Sequence, residues 1–162
     1  MAQKIKLLIV DDEVQFLNAL AQRLELRDFK ITKATNGLEA VQAARQDKFD
    51  LALLDLKMPG MDGKEVLQLL KKEHKYLEVI ILTGHGSLDS AVECTKLGAY
   101  GYLPKPYELE HLIKILKEAY EERMKKKFQM DEGKMAEIMR IATGDSALSI
   151  MRRLRELDDE IK

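Results

Sequence analysis

Five short apolar runs alternate with segments of helical periodicity, and this alternation restricts what the chain can fold into more than any other feature. Residues 6–10, 51–55, 79–83 and 100–103 are apolar runs too short for helices, and they read as buried strands. A fifth segment, residues 29–34, alternates apolar residues with Lys and Thr, which suits a strand nearer a sheet edge. Between them, apolar residues recur at helical spacing: Val14, Leu17, Leu20, Ala21 and Leu24; Leu38, Val41 and Ala44; Val66, Leu67, Leu69 and Leu70; Leu88, Ala91, Val92 and Leu97. A fifth helix carries Leu109, Leu112, Ile113 and Leu116. Parallel strands need crossover helices, so five strand–helix repeats predict a doubly wound α/β sandwich with helices on both sheet faces. Turn residues agree, with Asn36-Gly37, Pro59-Gly60, Asp62-Gly63, Gly84 to Gly86, and Gly98 all falling between elements.

Ligands of an open parallel sheet bind beyond the carboxyl ends of its strands, and here those ends are polar. The first strand runs into Asp11-Asp12, the third ends in Asp55, the fourth in Thr83, and Lys105 follows the fifth. Three crowded carboxylates repel one another, and hard oxygen donors of this kind suit a divalent ion such as Mg²⁺. A cation and the Lys105 ammonium near one carboxylate would stabilise charge on a transferring phosphoryl group, with Asp55 as nucleophile and Thr83 donating to a phosphoryl oxygen. Each residue also has a plainer reading. Asp62, before Gly63 and a helix, reads as an N-cap; Cys94 as a small core residue; His74 and His111 as surface residues; and Tyr102 could simply pack in its strand.

The set Asp11-Asp12, Leu54-Asp55-Leu56-Lys57-Met58-Pro59-Gly60-Met61-Asp62-Gly63, Thr83, and Tyr102 to Pro106 resembles the receiver domains of two-component response regulators, over about three quarters of the chain. The resemblance implies a flavodoxin-like fold with strand order 2-1-3-4-5. It also implies Asp55 as phosphoacceptor, and Mg²⁺ held by Asp12, Asp55 and the backbone carbonyl of Lys57, with Asp11 acting directly or through water. Lys105 would contact the phosphoryl group, a cis peptide would precede Pro106, and Thr83 and Tyr102 would form the switch. Lys57 and His85 resemble positions that tune phosphoryl lifetime. The implied protein is a phosphoacceptor that assists its own phosphorylation and dephosphorylation, loaded by a sensor histidine kinase or histidine phosphotransfer protein. Residues 83–87 resemble receivers of the nitrogen-regulation type, which often precede an ATPase module, although this sequence has no phosphate loop. An aspartate-based phosphatase would need a second acid two residues after Asp55, where Lys57 stands.

Residues 1–122 are expected to form the receiver and 123–162 a helical extension. Tyr120, Met124 and Phe128 carry an apolar stripe beyond the fifth helix's core segment. Gly133 and Thr143-Gly144-Asp145 are expected to break the tail into two amphipathic pieces, with Thr143 and Asp145 as turn and N-cap residues. The first carries Met135, Ile138 and Met139; the second carries Ile150, Met151, Leu154, Leu157 and Ile161. Five methionines, Met124, Met130, Met135, Met139 and Met151, suggest an adaptable apolar surface that folds back, forms a homodimer through the fifth helix and the extension, or engages a partner. The alternative is that they pack on the receiver. From residue 121 onward, ten acids balance ten basic residues. DNA binding is therefore disfavoured, with Arg140, Arg152, Arg153 and Arg155 its only basis. The apolar run at residues 7–10 ends at Asp11-Asp12, too short for a secretory signal, and no span reaches membrane-crossing length. A lone cysteine excludes an internal disulfide, and a cytoplasmic location is expected.

Overall fold

A computed structural model describes residues 3–84, 88–141 and 146–161. The element order is β1 (Ile5–Val10), α1 (Val14–Glu25), β2 (Phe29–Ala34), α2 (Gly37–Gln46), β3 (Leu51–Leu54), α3 (Gly63–Glu73), β4 (Glu78–Thr83), α4 (Leu88–Lys96), β5 (Gly101–Pro104), α5 (Leu109–Phe128), α6 (Glu132–Ile141) and α7 (Ala147–Ile161). All five strands are parallel, in the order β2-β1-β3-β4-β5. This is the expected doubly wound, flavodoxin-like sheet.

Side chains of a strand alternate between faces, and β1 shows the consequence. Leu7 and Ile9 join the core under α1 and α5, whereas Leu8 and Val10 join the opposite core with α2, α3 and Cys94 of α4. Burial on both faces explains why β1, β3 and β4 read as continuous apolar runs, while edge strand β2 keeps Lys30 and Lys33 exposed. In α1 the buried residues are Leu17, Leu20, Ala21 and Leu24, at helical spacing. Asn36 caps α2 by accepting from the Glu39 backbone N–H at 2.8 Å, and Asp62 caps α3 by accepting from Lys64 N–H at 3.0 Å.

Some apolar residues assigned to inward stripes face outward. Val14, Leu38 and Val92 are exposed, whereas Ala40 joins the expected Val41 and Ala44 on the core side of α2, and Cys94 is the small core residue of α4 that its type suggests.

The proposed boundary after residue 122 falls inside α5, which runs unbroken to Phe128. Gly133 does not break the tail, because it lies in the first turn of α6. The break is at Gln129, whose left-handed backbone (φ 54°) ends α5 and whose N–H bonds to Lys125 O. Asp131 then opens α6, accepting from Lys134 N–H at 2.7 Å. Thr143, Gly144 and Asp145 lie outside the described residues.

The tail folds back on the receiver. Met124 and Tyr120 of α5 are fully buried in one core with Met130, Met135 of α6, and Met151 and Leu154 of α7. Four of the five methionines therefore lie in the interior rather than forming an adaptable outer surface, and of the Met139 side chain nothing is described.

A buried ionic network fastens α7 beneath the amino-terminal ends of β3 and β4. Arg155 Nη1 donates to both carboxylate oxygens of Asp50, at 2.9 and 3.0 Å. Arg123 Nη2 lies 3.2 Å from Asp50 and donates through Nη1 to Tyr76 O at 3.1 Å. Asp158 accepts from Tyr120 Oη at 3.0 Å and from Lys127 Nζ at 2.8 Å. Lys126 reaches the buried Glu78 at 3.1 Å. Because α5 serves both the sheet core and α7, receiver and tail share one structural element.

Candidate functional site

The strand order puts β3 between β1 and β4, so the residue after β3 is flanked by those leaving its two neighbours. Asp55 follows β3 with its N–H bonded to Val10 O at 3.0 Å, and Asp11 follows β1 with its N–H bonded to Ala34 O at 3.0 Å. Thr83 closes β4, and Lys105 follows β5 with its N–H bonded to Thr83 O at 3.1 Å. The ladders thus continue into the site residues, which makes their backbone positions part of the sheet.

Asp11 and Asp55 are each 2% exposed and Thr83 is fully buried, while Asp12 is exposed. Asp11, Asp12 and Asp55 each offer a carboxylate oxygen within 4.8 Å of the others. Lys105 Nζ bonds to Asp11 Oδ2 at 2.5 Å, lies 3.4 Å from Glu13 Oε1 and 3.6 Å from Asp55 Oδ2, and sits 3.9 Å from the centre of the Phe16 ring. The ring of Tyr107 meets that of Phe16 edge-on at 6.0 Å. Among the described residues, the Lys105 ammonium thus faces Asp11, Glu13 and Asp55, and Asp12 adds a third carboxylate to the Asp11–Asp55 pair. This excess of hard oxygen donors fits a divalent cation.

Burial raises the Asp11 carboxyl above the ordinary range, even though the hydrogen bonds from Lys105 and Glu13 N–H oppose it. Burial also works against charge on Lys105, but its hydrogen bond to Asp11 and the charges of Asp11, Asp55 and Glu13 outweigh that and hold its ammonium above the usual lysine range. The lysine is therefore a fixed positive charge beside Asp55.

The loop after Asp55 is held from two sides. Lys57 N–H donates to Asp55 Oδ1 at 3.1 Å, bending the chain back over the carboxylate. A Cβ on Gly63 would come within 2.5 Å of Leu56 O and 2.6 Å of Leu56 Cα, so only glycine lets α3 start this close to the loop. Gly60, at φ +90°, turns the chain between them.

Asp11, Asp12, Asp55 and Lys105 are brought together, with Thr83 at the next strand end. The Lys105–Pro106 peptide is cis, as expected from the resemblance. Tyr102, on the edge strand, is partly buried against the α2–α4 core, and its hydroxyl is enclosed without a hydrogen-bond partner among the described residues. Cys94 is buried, Asp62 is a cap and His111 is exposed. His74 is half-buried rather than free on the surface, its Nε2 lying 2.6 Å from Ala44 O and 3.0 Å from Asp47 O. His85 lies outside the described residues.

Glu13 and Phe16 were missed. Both stand just after the Asp11-Asp12 pair, so proximity in sequence to a candidate site was the available signal. Phe16 was passed over because it is absent from the inward stripe of α1.

A parallel sheet with acids at the β1/β3 switch point and a lysine beyond β5 defines a class of phosphate-handling α/β domains. Comparison with known proteins agrees. Residues 7–117 match the response regulator receiver domain family, and the chain belongs to that family. It is 37% identical over 117 residues to the transcriptional regulatory protein ZraR of Klebsiella oxytoca, covering 72% of this chain and 26% of that protein. It is 36% identical over 111 residues to the DNA-binding transcriptional regulator NtrC of Escherichia coli K12, covering 68% and 24%. The chain therefore spans about a quarter of these relatives' length. Against sporulation initiation phosphotransferase F of Bacillus subtilis it is 36% identical, covering 69% of this chain and 90% of that protein. A CheY-like receiver domain structure from Methanospirillum hungatei superposes with a TM-score of 0.74 at 31% identity, covering 76% of this chain and 99% of that one. No described helix is long and apolar enough to cross a membrane.

Proposed function

We propose that this receiver accepts a phosphoryl group on Asp55 from a sensor histidine kinase or histidine phosphotransfer protein and passes the signal on through a change in its protein contacts. The observation that carries the proposal is the placement of the buried Asp55 carboxylate between two other acids and the Lys105 ammonium, at the switch point of the sheet. In the transfer, an Asp55 carboxylate oxygen forms a bond to phosphorus while the donor–phosphorus bond breaks, giving an acyl phosphate. Lys105 is held by Asp11, close enough to offset the charge that gathers on the phosphoryl oxygens. Thr83 stands at the neighbouring strand end to donate to one of those oxygens. Asp12, Asp55 and the Lys57 carbonyl would hold Mg²⁺, with Asp11 acting directly or through water; bound there, the ion supplies positive charge to the phosphoryl group. Tyr102, whose enclosed hydroxyl has no hydrogen-bond partner among the described residues, is the candidate to move when Thr83 is engaged. The protein is a phosphoacceptor that assists its own loading and clearance, acting in the cytoplasm.

Three of the four tail arginines face carboxylates of this chain and do not support a DNA-reading face, while Arg140 is exposed. Arg155 is buried against Asp50, Arg153 pairs with Glu156 at 3.1 Å, and Arg152 lies 3.9 Å from Asp28. A homodimer through α5 and the extension would have to use their outer face, because α7 of the same chain covers Tyr120 and Met124. The phosphorus NMR spectrum after addition of a small phosphoryl donor tests the main proposal. It predicts a protein-bound acyl-phosphate resonance that needs Mg²⁺ and disappears with hydroxylamine. A signal that survives chelation of the metal would defeat it.

A further inference from the structure

A pocket of about 300 Å³ lies between α7 and the lower edge of the sheet, at the opposite end from Asp55. Its apolar wall combines Ile5 and Phe29, at the starts of β1 and β2, with Leu148 and Met151 of α7. Its charged wall has Lys4, Arg27, Arg152 and Arg155 against two acids, Asp28 and Glu156. Those acids are already engaged: Asp28 faces Lys4 at 3.7 Å and Arg152 at 3.9 Å, and Glu156 pairs with Arg153. Arg155 is 4% exposed and is oriented by Asp50, with its Nε 3.6 Å from Asp159 Oδ1, so it is already matched by carboxylates. Arg27 donates only to the backbone carbonyl of Arg23, and among the described residues it pairs with no carboxylate. The pocket therefore presents an apolar floor beside a guanidinium lacking an anionic partner.

We propose that this pocket binds a small amphipathic monoanion, a carboxylate with a short apolar chain or ring, and that this ligand fastens the tail to the receiver. At about 30 Å³ per water-sized group, the volume accommodates about ten non-hydrogen atoms, the size of octanoate. The apolar part would lie against Phe29, Leu148 and Met151, and the carboxylate would face Arg27 and Arg152. Because the walls come from both β1–β2 and α7, the ligand binds only the docked tail and stabilises that state by mass action. Nothing in this proposal depends on phosphorylation of Asp55.

Calorimetric titration of octanoate into the full chain tests the proposal, with 1-octanol as the neutral probe of matched length. The expected result is one site, with octanol weaker by about tenfold or more. The double variant Arg27→Glu, Arg152→Glu changes one half-buried and one exposed side chain outside the sheet core and should lose octanoate binding with an unchanged circular dichroism spectrum. Leu148→Trp, which fills the apolar end, should lose both probes. Absence of binding at millimolar octanoate, equal affinity for octanol, or binding that survives either variant overturns the proposal.

Discussion

Replacing Asp158 with alanine should destabilise the whole domain, not just its last helix. The Asp158 side chain is fully buried and accepts from Tyr120 Oη at 3.0 Å and Lys127 Nζ at 2.8 Å, with Arg155 3.5 Å and Arg123 3.8 Å away. Removing one member of a buried charged pair costs about 3–5 kcal/mol. Here the lower end applies, because Lys127 is about a fifth exposed and can turn to water, and Arg123 and Arg155 keep Asp50 at 3.2 and 2.9 Å. Tyr120 has no such escape. Its enclosed hydroxyl loses its acceptor, which alone costs about 1–3 kcal/mol. The expected total is about 3 kcal/mol. With a urea slope of about 2 kcal/mol per molar, the midpoint should fall by about 1.5 M in a single transition. Tyr120→Phe in the same background should be neutral or restorative, whereas in the wild type it should cost about 1 kcal/mol. A midpoint shift below about 0.3 M, or an early separate transition for the tail, would refute the claim that α5 welds tail and receiver into one unit.

The same carboxylate predicts a pH dependence. Burial alone would raise Asp158, but the Lys127 hydrogen bond, the charges of Lys127 and Arg123 and the Tyr120 hydroxyl outweigh it and hold its folded value below the ordinary range. Its contribution is therefore complete above the unfolded value of about 4 and fades as pH falls through the lower folded value, so the gap in urea midpoint between wild type and Asp158→Ala should shrink below about pH 4. Lys105→Met removes the ammonium beside Asp11 and Asp55; Mg²⁺ affinity measured by NMR titration should rise about tenfold, while the rate of phosphoryl acceptance falls about a hundredfold. Gln129→Gly relieves the left-handed backbone at the end of α5. The net gain of about 0.5–1 kcal/mol should raise the melting temperature by about 1–4 °C in calorimetry.

The sheet was legible because strands buried on both faces write themselves as unbroken apolar runs, and the polar residues that end those runs marked the site. Asp55 stood out for this reason: a carboxylate closing a run such as Leu51 to Leu54 has no place in a core. What local patterns could not show were relations made by the fold. Lys105 reaches Phe16 and Glu13 across some ninety residues of chain, and Asp50 reaches Arg155 across 105. The tail's ten acids balance its ten basic residues in the sequence, yet Arg155 and Asp158 face inward because Asp50, just before β3, and Lys127 of α5 neutralise them. The end of α5 was misread for a local reason: glycine is the usual left-handed residue, so Gly133 drew the break that Gln129 makes. In α4, helical spacing alone puts Val92 on the inward stripe although it is exposed, whereas Cys94 is the small core residue that its type suggests.

The central claim, that Asp55 is the phosphoacceptor, is tested most directly by intact mass spectrometry of wild type and Asp55→Ala after incubation with a small phosphoryl donor and Mg²⁺. One phosphoryl increment is expected on the wild type and none on the variant. An increment of equal extent on both proteins would contradict it.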